Sequence, residues 1–208
     1  MRGVLERWKR HHNVNPVDPE STRRAQIYTR WYDHEIIRQL WTNQVEIAPG
    51  VFRSNHPPAK RLERLAAQGL NSVLTLRGHG GNAPYLLEKQ TCERLGLTLH
   101  AIHFSARHAP KPASLLNLIE IFHKIERPFL MHCKSGADRS GLAAAIYLMV
   151  IEGQSLDQAR RMLHISYMHF GFTRAGVMGR VLDAYAKTGV GLGFEDWVRT
   201  RYDPAAMT

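Results

Sequence analysis

The segment PFLMHCKSGADRSGLAAAIYLM, Pro128 to Met149, sets Cys133 between two apolar runs, with Arg139 six positions later and Ser140 beside it. The first run reads as a buried strand and the second as a helix, so the cysteine falls at the carboxyl end of a strand and faces a helix N-terminus. Backbone N–H groups there are unpaired and carry the positive end of the helix dipole, which makes a ready anion site that a phosphoryl group would fit. Gly136 lets the backbone curl without a Cβ in the way, so that the N–H groups of Lys134, Ser135, Gly136, Ala137, Asp138 and Arg139 can converge on one centre. The same donors stabilise a thiolate and can bring a cysteine pKa from about 8.5 into a range of about 3.5 to 7.5. Arg139 adds a planar fork that grips two oxygens and does not lose its charge. The Ser140 hydroxyl is placed to help the sulfur leave again, and His132 to orient the loop from behind. This chemistry calls for no metal and no cofactor.

The rest of the chain must hold that loop. Strand and helix signals alternate: VEIAPGVFRS as two short strands about a Pro-Gly turn, a helix over 58–68, the strand NSVLTL, a helix over 85–95, LTLHAIHF, a helix over 113–125, and PFLMH. This is the pattern of an α/β fold with a mostly parallel central sheet flanked by helices. From Ser140 onward the chain reads as a helical C-terminal layer, with SLDQARRMLHISYMHF as one of its helices. Residues 1–42 form a basic, tryptophan-containing helical extension, in which Ile27, Trp31, Ile36 and Leu40 predict one helix along STRRAQIYTRWYDHEIIRQLW. Residues 43–208 form the catalytic domain.

With 208 residues the chain can bury a core unaided. Two cysteines, Cys92 and Cys133, make neither a disulfide framework nor a zinc site, which suits a reducing, cytoplasmic compartment. No apolar run is long enough to span a membrane, although Trp8, Trp31 and Trp41 give the extension a composition that suits peripheral contact with one. The net charge of +10 attracts phosphate polymers. Its arginines are nevertheless scattered and no aromatic-interleaved basic motif occurs, so the excess is better matched to a phosphorylated protein, small molecule or lipid headgroup than to nucleic acid.

HCKSGADRSG resembles the signature loop of the cysteine-dependent protein tyrosine and dual-specificity phosphatases. Upstream, APGVFRSNHP, LAAQGLNSVLTLRG and CERLGLTLHAIHF are similar to the small atypical dual-specificity members, and the likeness extends over about Val45 to Lys187. It implies a protein tyrosine phosphatase-like fold and metal-independent hydrolysis through a cysteinyl-phosphate. Cys133 would be the nucleophile, Arg139 the phosphate ligand and Ser140 the hydroxyl that aids turnover. The implied substrates are phosphotyrosine or phosphoserine/threonine proteins, with phosphoinositides or inositol phosphates as the alternative. A rhodanese-type sulfurtransferase also places a cysteine-led loop before a helix, but its loop is usually shorter and need not end in this arginine. A noncatalytic phosphate-binding module would lack the nucleophile or the arginine, and both are present.

Two features depart from the commonest pattern of that family. The segment HFSARHAPKP, where most members carry an aspartate as general acid, has no Asp or Glu. Asp138, beside Arg139, is the first substitute, as in some lipid phosphatases with an aspartate in that slot, and His103 and His108 are its rivals. Lys134, directly after the nucleophile, resembles a lysine of the tensin-type phosphoinositide phosphatases. With Arg77, His79, Arg107, His108 and Lys111 it would make the mouth strongly cationic. Cys92 would either form a protective disulfide with Cys133, as in some relatives, or lie buried on its helix.

Overall fold

The computed structural model describes residues 15–207; Trp8 lies outside them. Five strands form one sheet in the order β1-β2-β5-β3-β4. They are β1 (Val45–Ala48), β2 (Val51–Asn55), β3 (Ser72–Thr75), β4 (Thr98–Ala101) and β5 (Phe129–Cys133). β1 runs antiparallel to β2, and every other pair is parallel. Parallel neighbours need crossovers, which are the helices α3 (Ala59–Ala67), α4 (Ala83–Leu95) and α5 (Pro112–Lys124).

β5 is the middle strand and is buried throughout, so its side chains divide between the two faces at a period of two. Phe129, Met131 and Cys133 join the larger core, with Leu115, Leu118, Phe122, Leu142 and Trp197. Leu130 joins the other, with Leu62, Leu65, Val73 and Cys92. α6 (Asp138–Val150) follows the strand and is buried continuously from Ser140 to Leu148. A helix apolar all round belongs inside a fold, and Ala143, Ala144 and Ala145 keep it slim enough to lie against the sheet. α8 (Val177–Thr188) and α9 (Phe194–Thr200) complete the C-terminal layer around α6.

Two expected helices are interrupted, and each break serves a buried arginine. The extension forms α1 (Pro19–Ile27), capped by Asp18, then a π-helical turn over Tyr28–Tyr32, and then α2 (Glu35–Leu40). His34 separates the last two in the left-handed region at φ 63°. The apolar residues that predicted a single buried face do not provide one, since Trp31 is 63% and Leu40 87% exposed. The break instead turns Asp33 and Arg38 inward, where they pair. The second helix, expected along 155–170, stops after α7 (Leu156–Arg160) and gives way to 3-10 turns at Arg161–Leu163 and Ile165–Tyr167. The diverted chain brings the Met162 carbonyl and the Tyr167 ring onto Arg53. Among the described residues no helix is long and apolar enough to cross a membrane.

Candidate active site

Cys133 ends β5 opposite Asn55 of β2, and its side chain is buried at the mouth of the loop that leads into α6. The Gly136 N–H donates to Sγ at 3.3 Å and the Ser140 hydroxyl lies 3.5 Å from it. Burial alone would hold this thiol protonated. Together the Arg139 guanidinium and hydrogen bonds from Ser140 and Gly136 outweigh it, and the pKa falls below that of an ordinary cysteine. Arg139 is steadied by donating to the Phe104 carbonyl at 3.3 Å. Gly136 sits at φ +76°, and a Cβ there would stand 2.6 Å from the Asn55 backbone nitrogen. The close approach of the loop to β2 therefore requires glycine.

Why the loop amides face the sulfur is explained by Arg53, which the sequence reading passed over as one of many arginines. It is fully buried, and it donates to the carbonyls of Gly136 at 2.5 Å, Ala137 at 3.1 Å and Met162 at 2.5 Å. Its guanidinium also lies 4.4 Å from the Tyr167 ring centre. By drawing the loop carbonyls toward itself, Arg53 leaves the N–H groups for the anion. Burial lowers its pKa to about 10, against the attraction of the Cys133 thiolate, so it stays charged at neutral pH and adds to the positive field. The available signal was the strand period. Arg53 shares a face with Val51, a core position, and a charge on a buried face must find several acceptors.

His132 supports the loop from the other face of the sheet. Its Nδ1 lies 3.4 Å from the Cys133 carbonyl oxygen and its Nε2 2.7 Å from a Glu88 carboxylate oxygen. The His56 ring packs edge-on against it, and the His56 backbone N–H donates to the Lys134 carbonyl at 3.3 Å. Donor atoms of His56, Glu88 and His132 all lie within 4.8 Å of one another. Burial, then Arg77, holds His56 well below its ordinary pKa, with Arg38 and Arg61 contributing. That ring of guanidiniums repels a cation, so the cluster is better read as a buttress of the loop than as a metal site.

The structure gathers the expected residues unevenly. Cys133, Lys134, Ser135, Gly136, Ala137, Arg139 and Ser140 build one loop, and the Ser135 hydroxyl accepts from the Ala137 N–H at 3.4 Å. The Asp138 carboxylate accepts from His169 Nδ1 at 2.7 Å. Arg77 gives both ends of its fork to Asp33 at 2.8 Å each, and Lys134 Nζ lies 3.3 Å from the same carboxylate. Arg107 and His108 are exposed on the 105–111 segment, where His108 Nδ1 is 3.0 Å from the Ser105 hydroxyl, and His103 bridges to Arg77. Cys92 belongs to the core on the opposite face of the sheet from Cys133, which argues against the protective disulfide. Burial raises its pKa to about 12.

Asp33 is thus the hub that ties the segment before β1 to the ends of β3 and β5. Burial opposes its ionisation, yet Arg77, Arg38 and Lys134 together hold its carboxyl far below the usual carboxylate range. Asp33→Asn should cost about 3–5 kcal/mol at neutral pH, because buried Arg38 and half-buried Arg77 would lose their shared carboxylate. A depressed carboxyl contributes fully above its unfolded value of about 3.9 and loses that contribution as the pH falls toward the folded one. Denaturant melts should therefore show the gap between wild type and variant narrowing below about pH 4. A gap that ignores pH would assign the loss to something other than this ion cluster.

Residues 42–158, more than half the chain, match the tyrosine phosphatase family, and the chain belongs to it. A curated relative, the dual specificity protein phosphatase TpbA of Pseudomonas aeruginosa, is 30% identical over 118 residues, which is 53% of this chain and 48% of the relative. The chain thus spans about half the length of that relative. Among solved structures, Tk-PTP in its active form superposes with a TM-score of 0.55 at 22% identity, over 69% of this chain and 97% of that one. A cysteine-to-serine variant of P. aeruginosa TpbA in complex with phosphotyrosine gives 0.54 at 20%, over 79% and 90%. These likenesses show the fold.

Proposed function

We propose that this chain is a cysteine-dependent phosphatase that hydrolyses phosphate monoesters of phosphorylated protein side chains, with no metal in the reaction. The observation that carries the reading is the Cys133 sulfur, held 3.3 Å from the Gly136 N–H and 3.5 Å from the Ser140 hydroxyl, with Arg139 favouring its thiolate. The loop N–H groups and Arg139 hold the phosphate oxygens. The sulfur lone pair attacks phosphorus, the ester P–O bond breaks, and its electron pair leaves on the alcohol oxygen, which takes a proton. Water then attacks the cysteinyl-phosphate and the S–P bond breaks. Inorganic phosphate departs, while Ser140 donates to the returning thiolate.

The proton for the leaving oxygen is assigned to Asp138, one residue from Arg139 and coupled to His169 at 2.7 Å. A carboxyl bonded to an imidazole can recover a proton between turnovers, whereas the ring of His103 meets only the Arg77 carbonyl and that of His108 only the Ser105 hydroxyl among the described residues. A protein substrate is favoured over a polyphosphorylated one by Asp33. The cations expected to receive extra phosphates, Arg77 and Lys134, already share this carboxylate. The named activity of the curated relative points the same way. The first step needs a free thiolate, which the second regenerates, and this suits a reducing compartment.

A panel of phosphotyrosine and phosphoserine/threonine peptides, inositol polyphosphates and phosphoinositides, assayed for phosphate release, tests the substrate class. Peptides should give the higher kcat/KM. Faster release from phosphoinositides would transfer the assignment to the lipid class, and thiocyanate formation from thiosulfate would overturn the phosphatase reading.

A further inference from the structure

A cavity of about 900 Å³ lies between the N-terminal extension and the α3–α4 side of the catalytic domain, and neither Cys133 nor Arg139 lines it. The volume is that of a small-molecule site. Five cationic side chains line it, Arg30, Lys60, Arg61, Arg64 and Arg94, the last paired with Glu63 at 2.6 Å, against two carboxylates, Glu35 and Glu88. Glu88 is turned toward His132 at 2.7 Å.

Arg61 distinguishes this cavity from an ordinary basic surface. It is only 6% exposed, and its Nη2 donates to the Asn55 carbonyl at 2.8 Å and the Asn55 side-chain oxygen at 2.5 Å. Its Nε and Nη1 are buried with no hydrogen-bond partner among the described residues, and the charges that act on it are those of Arg64 and Arg38, with no carboxylate among them. His56, also on the wall, has a buried Nδ1 without a hydrogen bond. Burial brings Arg61 down to about 10, and repulsion from Arg64 and Arg38 adds to this. A buried guanidinium with idle donors lacks an acceptor of the opposite charge. Exposed Arg30, Lys60 and Arg64 around the opening would steer one inward.

We infer that this cavity is a second anion site, separate from the catalytic loop, that takes a compact phosphate-bearing polyanion against Arg61. Two phosphate groups match the donor set: one meets the idle Nε and Nη1 of Arg61, and the other the flexible cations at the rim. The site shares its framework with the catalytic loop, since the Asn55 held by Arg61 pairs with Cys133 across the sheet.

The inference is tested with the full chain after iodoacetate has carboxymethylated Cys133, which fills the catalytic loop; buried Cys92, with its raised pKa, is spared. Inorganic pyrophosphate is then titrated calorimetrically at low salt. One equivalent should bind. Arg61→Met should weaken the affinity roughly tenfold or more, as loss of a charged hydrogen-bond donor does. The double variant Arg30→Gln/Arg64→Gln should weaken it by at least as much while leaving the buried Arg61–Asn55 bonds in place, so the test stands if Arg61→Met fails to fold. No binding by the blocked chain, or unchanged affinity in the folded variants, would overturn the inference. Because the nucleophile is blocked, either result leaves the proposed phosphatase reaction untouched.

Discussion

Cys133→Ser is expected to lower turnover of an aryl phosphate by at least about 10⁴-fold while phosphate and vanadate still bind, since removal of a nucleophile leaves only the residual rate that binding and anion stabilisation provide. The hydroxyl that replaces the thiol has no comparable acidity. The groups that make the anion cradle remain in place: Gly136 held at β2, the loop carbonyls held by Arg53, and Arg139 fixed on the Phe104 carbonyl. Steady-state rates and vanadate titrations on the same protein separate the two effects. A serine variant that keeps turning over, or that loses anion affinity in step with rate, would mean that the sulfur is not the attacking atom. Chelator treatment of the wild type should leave the rate unchanged.

The second large effect is selective. Asp138→Asn should slow hydrolysis of phosphoserine peptides and alkyl phosphates by about 10²–10⁴-fold, because an alkoxide leaving group needs a proton that the amide cannot give. Nitrophenyl phosphate, whose leaving group is stable as an anion, should lose far less, and the basic limb of the pH–rate profile should flatten. His169→Gln should produce a weaker version of the same pattern, since His169 reaches the reaction only through its 2.7 Å contact with Asp138. His103→Ala and His108→Ala should show no dependence on the leaving group. Equal losses on both substrate types, expressed mainly as weaker phosphate affinity, would make Asp138 a structural partner of the loop. The acid would then be sought on the 105–111 segment, His108 first.

The parts of this site that could be read from sequence are those determined within a dozen residues. An apolar strand, a cysteine, a glycine where φ must be positive, an arginine and a helix start form a local unit, and PFLMHCKSGADRSG folds as its spacing dictates. The alternation of strands and helices likewise gave the sheet and its crossovers, because each element carries its own period. The partners that complete the site come from far along the chain. Arg53 reaches the loop across 83 positions, and His169 reaches Asp138 across 31. Asp33 holds Arg77 across 44. No local pattern marks such pairs. The same distance effect explains the broken helices: Ile27, Trp31 and Leu40 have helical spacing, but the burial of the Asp33–Arg38–Arg77 cluster fixes the path of the extension. An ion cluster taken out of water outranks a short apolar stripe, because each of its members left unpaired would cost several kilocalories per mole.

The covalent intermediate offers the most direct test of the mechanism. A single turnover of nitrophenyl phosphate, quenched in acid within the burst and digested for mass spectrometry, should place one phosphoryl group on the peptide that contains Cys133. The adduct should accumulate further in Ser140→Ala, where the departing thiolate has lost its donor, and be absent in Cys133→Ser. A quenched enzyme with no phosphoryl adduct despite a product burst, or an adduct on a histidine, would contradict the thiolate mechanism.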